Sequence, residues 1–182
     1  MAEERIIDFD ALNELLGKVN LDNVTAESNE KRYEELPDGY YLSELEKADL
    51  GVSNSGRTQV KLQFKVAEDG IGSYVDENGY LREKTNEHTK NRKIFKYYPL
   101  VEEKDVNRFV SDMLKFEDGD GEPLLPKEAF TTAEYLEESL DAITGSRLYV
   151  QATTTTKKGT DEKSTWFNLI SWKRATELEL PQ

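Results

Sequence analysis

The run from Thr58 to Ala67 sets the strongest limit on what this chain can fold into. Val60, Leu62, Phe64 and Val66 alternate with Gln59, Lys61, Gln63 and Lys65. A period of two, apolar on one side and polar on the other, is the signature of a strand with one face on a core and the other in water. Pro37-Asp38-Gly39 is a turn signal, a second strand runs from Tyr40 to about Leu50, and Ser53-Asn54-Ser55-Gly56 joins the two. The pair reads as an antiparallel hairpin.

The rest of the chain reads around this pair. Ile6 to Val19 has the pattern of a short amphipathic helix, with Asp8 as N-cap, Phe9, Leu12, Leu15 and Leu16 on one face, and Gly17 as a stop. Residues 20–36 are polar and non-periodic, a linker. Tyr74-Val75 and Tyr80-Leu81 flank Asp76-Glu77-Asn78-Gly79, which fits a small secondary hairpin in the long connection over 68–91. Lys93 to Leu100 returns to strand. Glu102 to Phe116 is helical, and a second helix follows the capping-box pattern Thr131-Thr132-Ala133-Glu134 and ends at Gly145. Arg147 to about Thr154 and Thr165 to Trp172 are the last strands, joined by a loop carrying Lys157-Lys158-Gly159. The final strand is apolar on both faces, with Trp166 and Trp172 read as core. Its outer face needs cover, from the N-terminal helix or from a second copy of the protein in a homodimer.

Composition narrows the chemistry. The chain has no cysteine and only one histidine, His88, which removes thiol nucleophiles, disulfides and Cys-ligated metals and leaves little for His-based catalysis. No cofactor is implied. No apolar run is long enough to span a membrane, and the first residues lack the form of a secretory signal, so a cytoplasmic protein is expected. The formal net charge is −13 over 182 residues. That charge is segregated: 1–50 and 101–145 are strongly acidic, whereas 51–100 and 146–176 carry a basic excess. The basic segments are those that read as strands. An acidic protein can still present a basic face to a polyanion, because local charge and screening govern contact.

The order strand, strand, strand, helix, strand, strand fits a mainly β fold with helices. It matches a five-stranded OB-fold-like Greek-key barrel with a helical insert between strands three and four, plus the N-terminal helix. Residues 1–36 are then an acidic extension, 37–175 the barrel domain and 176–182 a short acidic tail.

The stretch LPDGYYLSELEKADLGVSNSGRTQVKLQFKV, with NRKIFKYYPL and GSRLYVQATTTTKKGTDEKSTWFNLISWK, resembles a phage-encoded family from replication and recombination gene clusters, long catalogued only as a domain of unknown function. The resemblance covers about residues 36–174. It implies an OB-fold protein that binds single-stranded DNA without catalysing a reaction, with phage or host replication and recombination proteins as further partners and the host cytoplasm as its location. It implies no catalytic residues.

Binding residues come from the strands themselves. A single strand is held by cations that follow its phosphates and by aromatic rings that stack its bases. With Val60, Leu62, Phe64 and Val66 inward, Lys61 and Lys65 point outward, with Arg57 at the preceding turn. In the third strand, taking Phe95 and Tyr97 as core turns Arg92, Lys96 and Tyr98 outward and keeps the Lys96 ammonium out of the interior. Lys157 and Lys158 stand on the last loop, and Tyr80, with Tyr74, can close over the strand from the secondary hairpin. The competing expectation is an acidic module that binds a host or phage enzyme and mimics DNA.

Two further signals are set aside. Asp118-Gly119-Asp120-Gly121-Glu122 lacks the ligand spacing of a calcium loop, since Ala129 falls where the twelfth-position carboxylate belongs. Asp161-Glu162-Lys163 sits in a loop, a poor base for the rigid geometry of a metal-dependent nuclease.

Overall fold

The computed structural model describes residues 8–23 and 35–182. The chain divides into two compact units, Met1–Glu34 and Glu35–Gln182. In the first, α1 spans Phe9–Lys18. The Asp8 carboxylate caps it by accepting from the Ala11 N–H at 3.0 Å. Helix α1 runs through Gly17 and stops at Val19. The start of this helix at Ile6 and most of the predicted linker lie outside the described residues. No helix among those described is long and apolar enough to cross a membrane.

The second unit is mainly β, with seven strands in one open antiparallel sheet. These are β1 (Gly39–Val52), β2 (Thr58–Val66), β3 (Gly70–Val75), β4 (Leu81–Asn86), β5 (Lys93–Pro99), β6 (Arg147–Thr156) and β7 (Lys163–Ile170). Between β5 and β6 lie α2 (Glu103–Met113) and α3 (Ala133–Ser139), with short 3-10 turns beside them, and α4 (Trp172–Glu177) follows β7. The five strands expected become seven because the secondary hairpin forms in full, as β3 and β4.

Long strand β1 organises the sheet. Its first half, Gly39 to Glu44, pairs with β6, and its second, Ser43 to Val52, pairs with β2 around a bulge at Glu46. Strand β5 continues from β2, and β7 from β6. The β3–β4 hairpin joins β1 at a single register pair, Tyr40 with Ile71. Its base is fixed by buried polar groups: the Tyr41 hydroxyl accepts from Asn86 Nδ2 at 2.9 Å, and Thr89 Oγ1 accepts from the Gly70 N–H at 2.9 Å. Gly70 is required here, because a Cβ at that position would stand 2.1 Å from the Tyr41 ring.

The alternation in β2 does what the sequence predicts: Val60, Leu62, Phe64 and Val66 are fully buried. They meet Tyr41, Leu45, Ile94, Tyr98, Leu148, Val150 and Leu169 from the other strands and Phe109, Met113, Phe116 and Leu140 from the helical segment. A smaller cluster lies on the opposite face of β6 and β7, where Tyr149 and Ile170 pack with Ala175 and Leu180. The outer cover that the last strand needs is therefore supplied by α4 and the residues after it. Trp172 is not in the strand; it opens α4 and meets the Tyr149 ring edge-on at 5.9 Å.

Candidate nucleic-acid interface

The outward side of β2 carries Gln59, Lys61, Gln63 and Lys65, and the register sets them beside Pro99, Tyr97, Phe95 and Lys93 of β5. The sequence reading of β5 is reversed by the structure. Ile94 and Tyr98 are buried, with Lys96 on the same inward side, whereas Phe95 and Tyr97 are 42% and 51% exposed. The arrangement is stable because both polar inward groups find partners. The Tyr98 hydroxyl donates to Asp112 Oδ2 at 2.6 Å, and its ring packs edge-on against Phe109. Lys96 Nζ donates to the Phe167 carbonyl at 2.5 Å and lies 5.2 Å from the centre of the Tyr98 ring. Burial pushes the Tyr98 hydroxyl pKa far up, with the Asp112 charge adding to it, and burial pushes the Lys96 ammonium down. Neither residue is placed to meet a nucleic acid on the outer face.

The rings that β5 presents on its outer face are those of Phe95 and Tyr97. Lys61 Nζ stands 5.0 Å from the centre of Phe95 and 5.7 Å from that of Tyr97. A cation held against two aromatic rings on an open sheet face brings phosphate recognition and base stacking within one nucleotide's reach. Trp166, expected in the core, is 61% exposed on β7, its indole N–H donating to Thr155 Oγ1 at 2.9 Å.

Two clefts meet on this face and share Tyr97. One of about 510 Å³ lies against the β1–β2 turn, lined by Val52 to Ser55, Gln59 and Lys61. The other, also about 510 Å³, lies between β5 and β7 and brings Trp166 and Arg108 of α2 beside Phe95 and Tyr97.

The face is not purely basic. Glu46, at the β1 bulge, pairs with Lys93 at 2.6 Å and accepts from Gln63 Nε2 at 2.9 Å. The Lys93 hydrogen bond is the main reason its carboxyl lies below the ordinary value. Asp49 is the register partner of Lys61, and Glu44 that of Lys65. Lys61, Lys65, Arg57 and Arg108 have no ion-pair partner among the described residues.

The remaining predicted residues are dispersed. Arg57 is exposed at the β1–β2 turn, and Lys157 and Lys158 are exposed at the β6–β7 turn, where Lys157 lies 4.0 Å from Glu162. Arg92 is half-buried before β5, and its charge lowers the pKa of the buried Tyr41 hydroxyl against a larger upward push from burial. Tyr80 is exposed at the tip of the β3–β4 hairpin, with the Arg82 guanidinium 5.8 Å from its ring centre. Arg82 is in turn paired with Asp76 at 2.8 Å. The structure thus sets Lys61 against Phe95 and Tyr97 and brings Trp166 to the same cleft as those rings, all three of which the sequence reading had assigned to the core, while Lys65 lies further along β2 opposite Lys93.

No model of a known protein family matches the chain, and no curated protein matches it in sequence.

Proposed function

We propose that this chain is a non-catalytic single-stranded DNA-binding protein with little sequence preference, acting in phage DNA replication or recombination. In this reading the strand order β5-β2-β1-β6-β7, with the helical segment between β5 and β6, is that of an OB-type barrel open at one seam. The β3–β4 hairpin is an insertion between its second and third strands. The outer face of β2 and β5 is the usual ligand face of such a barrel, walled by its first and last hairpin turns.

The observation that carries the reading is Lys61 poised over the exposed rings of Phe95 and Tyr97. Exposed aromatic rings on a sheet face are unfavourable for solubility unless a partner uses them, and a flat base above an adjacent ammonium fits their chemistry. In this reading Lys65 extends the cationic track along β2, Arg57 stands at the turn before it, and Lys157 and Lys158 on the last turn meet a strand that continues past the face. Lys96 and Tyr98 have no part in it.

The test is a fluorescence anisotropy titration of labelled dT oligonucleotide against duplex, from low to physiological salt. Preferential binding of the single strand is expected, weakening by about 0.7 log units per log of salt for each phosphate neutralised. Lys61→Glu with Lys65→Glu abolishes it in a protein that still folds cooperatively, the like charges set opposite Asp49 and Glu44 lowering the melting temperature by only a few degrees. An absence of binding at low salt removes the reading, and retained binding in the charge-reversed variant moves the site off this face.

A further inference from the structure

Apart from β4, the outer edge of the β3–β4 hairpin, the strands of the second unit find backbone-paired neighbours on both sides except at one place. The exception is the seam between β5 and β7, which end two of the three arms of the sheet and are not paired with each other among the described residues. Side chains bridge it. Lys96 Nζ donates to the Phe167 carbonyl and Lys115 Nζ to the Leu169 carbonyl at 2.9 Å, so two ammonium groups take the edge acceptors of β7 that a paired strand would take. A lysine side chain holds the edges further apart than a backbone ladder does. The gap so held open is the cleft of about 510 Å³, within the size range of small-ligand sites (about 300–1,000 Å³).

The lining of this cleft suits a flat, hydrogen-bonding ligand with an anionic tail. Tyr97 and Trp166 stand on opposite strands of it, and the Trp166 ring is oriented by its bond to Thr155. Asn168 sits next to Trp166 on the outward side of β7, and among the described residues no partner takes its amide. An open amide carries both a donor and an acceptor, which is what a base edge needs. Arg108 is available for a phosphate. The one carboxylate in the cleft among the described residues, Asp105, is already engaged with the Glu102 N–H at 3.1 Å and the Val101 N–H at 3.4 Å, where it helps cap α2.

Resting on the single-strand reading above, we propose that the β5–β7 seam is a slot for one nucleobase of the bound strand, stacked between Tyr97 and Trp166, with Asn168 meeting its hydrogen-bonding edge and Arg108 its phosphate. The strand then crosses the seam from the β2–β5 face, and one position along it is base-selective while the others are not.

Trp166 supplies the readout. Wild-type protein and Trp166→Phe are titrated with a dT oligonucleotide and with an abasic strand of equal length, recording tryptophan emission and the anisotropy of a label together. The dT strand quenches an emission component that Trp166→Phe lacks, and the abasic strand raises anisotropy without quenching it. Asn168→Ala, at an exposed position, keeps its melting temperature and loses a preference of about fivefold among dT, dC and dA strands. Binding by anisotropy with no change in Trp166 emission overturns the slot and leaves the interface standing. Equal quenching by the abasic strand also overturns it, because the signal then comes from phosphate. No anisotropy change with any strand overturns both the slot and the reading beneath it.

Discussion

Trp172 and Trp166 come from the same stretch of chain and end in opposite surroundings. Trp172 packs on Tyr149 at the end of β6 and β7 where α4, Ala175 and Leu180 cover the outer face. Trp166, on the uncovered part of β7, is mostly in solvent beside Tyr97 and an open cleft. Both outward surfaces are aromatic. The chain closes one with its own C-terminal residues and leaves the other bare, next to Lys61 and Arg108. Aromatic surface that a protein covers contributes to stability, and aromatic surface left bare beside unpaired cations is available to a ligand.

Substitutions separate the two roles. The largest effect is expected for Lys61→Glu combined with Tyr97→Ala. Loss of one stacking ring and reversal of the adjacent charge weakens dT binding by about 100-fold, since a single base–aromatic stack is worth about 1–3 kcal/mol. Thermal unfolding of this variant moves by no more than about 1 kcal/mol, since Tyr97 is half-exposed and Lys61, half-buried beside it, has no ion-pair partner among the described residues. Next comes Trp172→Ala, which lowers stability by about 2 kcal/mol in chemical denaturation by emptying the α4 contact, and leaves dT affinity unchanged. A variant of either kind that moved both quantities together would break the comparison.

Tyr98→Phe sharpens it on a single strand. The hydroxyl bonded to Asp112 is buried, so its removal costs about 1 kcal/mol of stability with no effect on strand binding. Alkali gives the complementary result. Because burial raises the Tyr98 pKa in the folded state above its ordinary value of 10.0, the stability it contributes is complete below pH 10 and declines as pH rises past that value.

The smallest effect concerns Glu46. Its folded-state pKa is depressed by the Lys93 hydrogen bond, so its contribution to stability is present above the ordinary carboxylate value and is lost as pH falls through the depressed one. Protonation there also removes an acid from the proposed binding face and releases Lys93. dT affinity should therefore rise modestly with acidification, and Glu46→Gln should raise it at neutral pH and flatten that part of the pH profile.

How far the fold was legible follows from where each residue's partner lies. In β2 every inward residue is aliphatic or Phe and every outward one polar, so the strand's faces follow from its own sequence. In β5 the two candidate faces, Ile94-Lys96-Tyr98 and Phe95-Tyr97, are both largely apolar. Choosing Phe95 and Tyr97 as core spared a lysine from burial, and that argument failed because Lys96 reaches a carbonyl of β7 and Tyr98 reaches a carboxylate of α2. Those partners are distant in sequence, and no local pattern reveals them. The same is true of Trp166. Its strand was recognised, but its exposure depends on α4 covering only the far end of β7. The β3–β4 hairpin, by contrast, was visible in its turn residues alone. The candidate site was therefore half legible: Lys61 and Lys65 could be read directly, while the rings beside them required the register of β5.

The most direct test of the account is a backbone amide chemical-shift map of the protein titrated with a short dT oligonucleotide. The outer face of β2 and β5 is the claim at stake, so the account predicts shifts concentrated at 57–65, 93–99 and 164–168. Residues around Tyr149 and α4 should stay still. Shifts confined to the acidic helical segment over 102–145, or to α4, would contradict it.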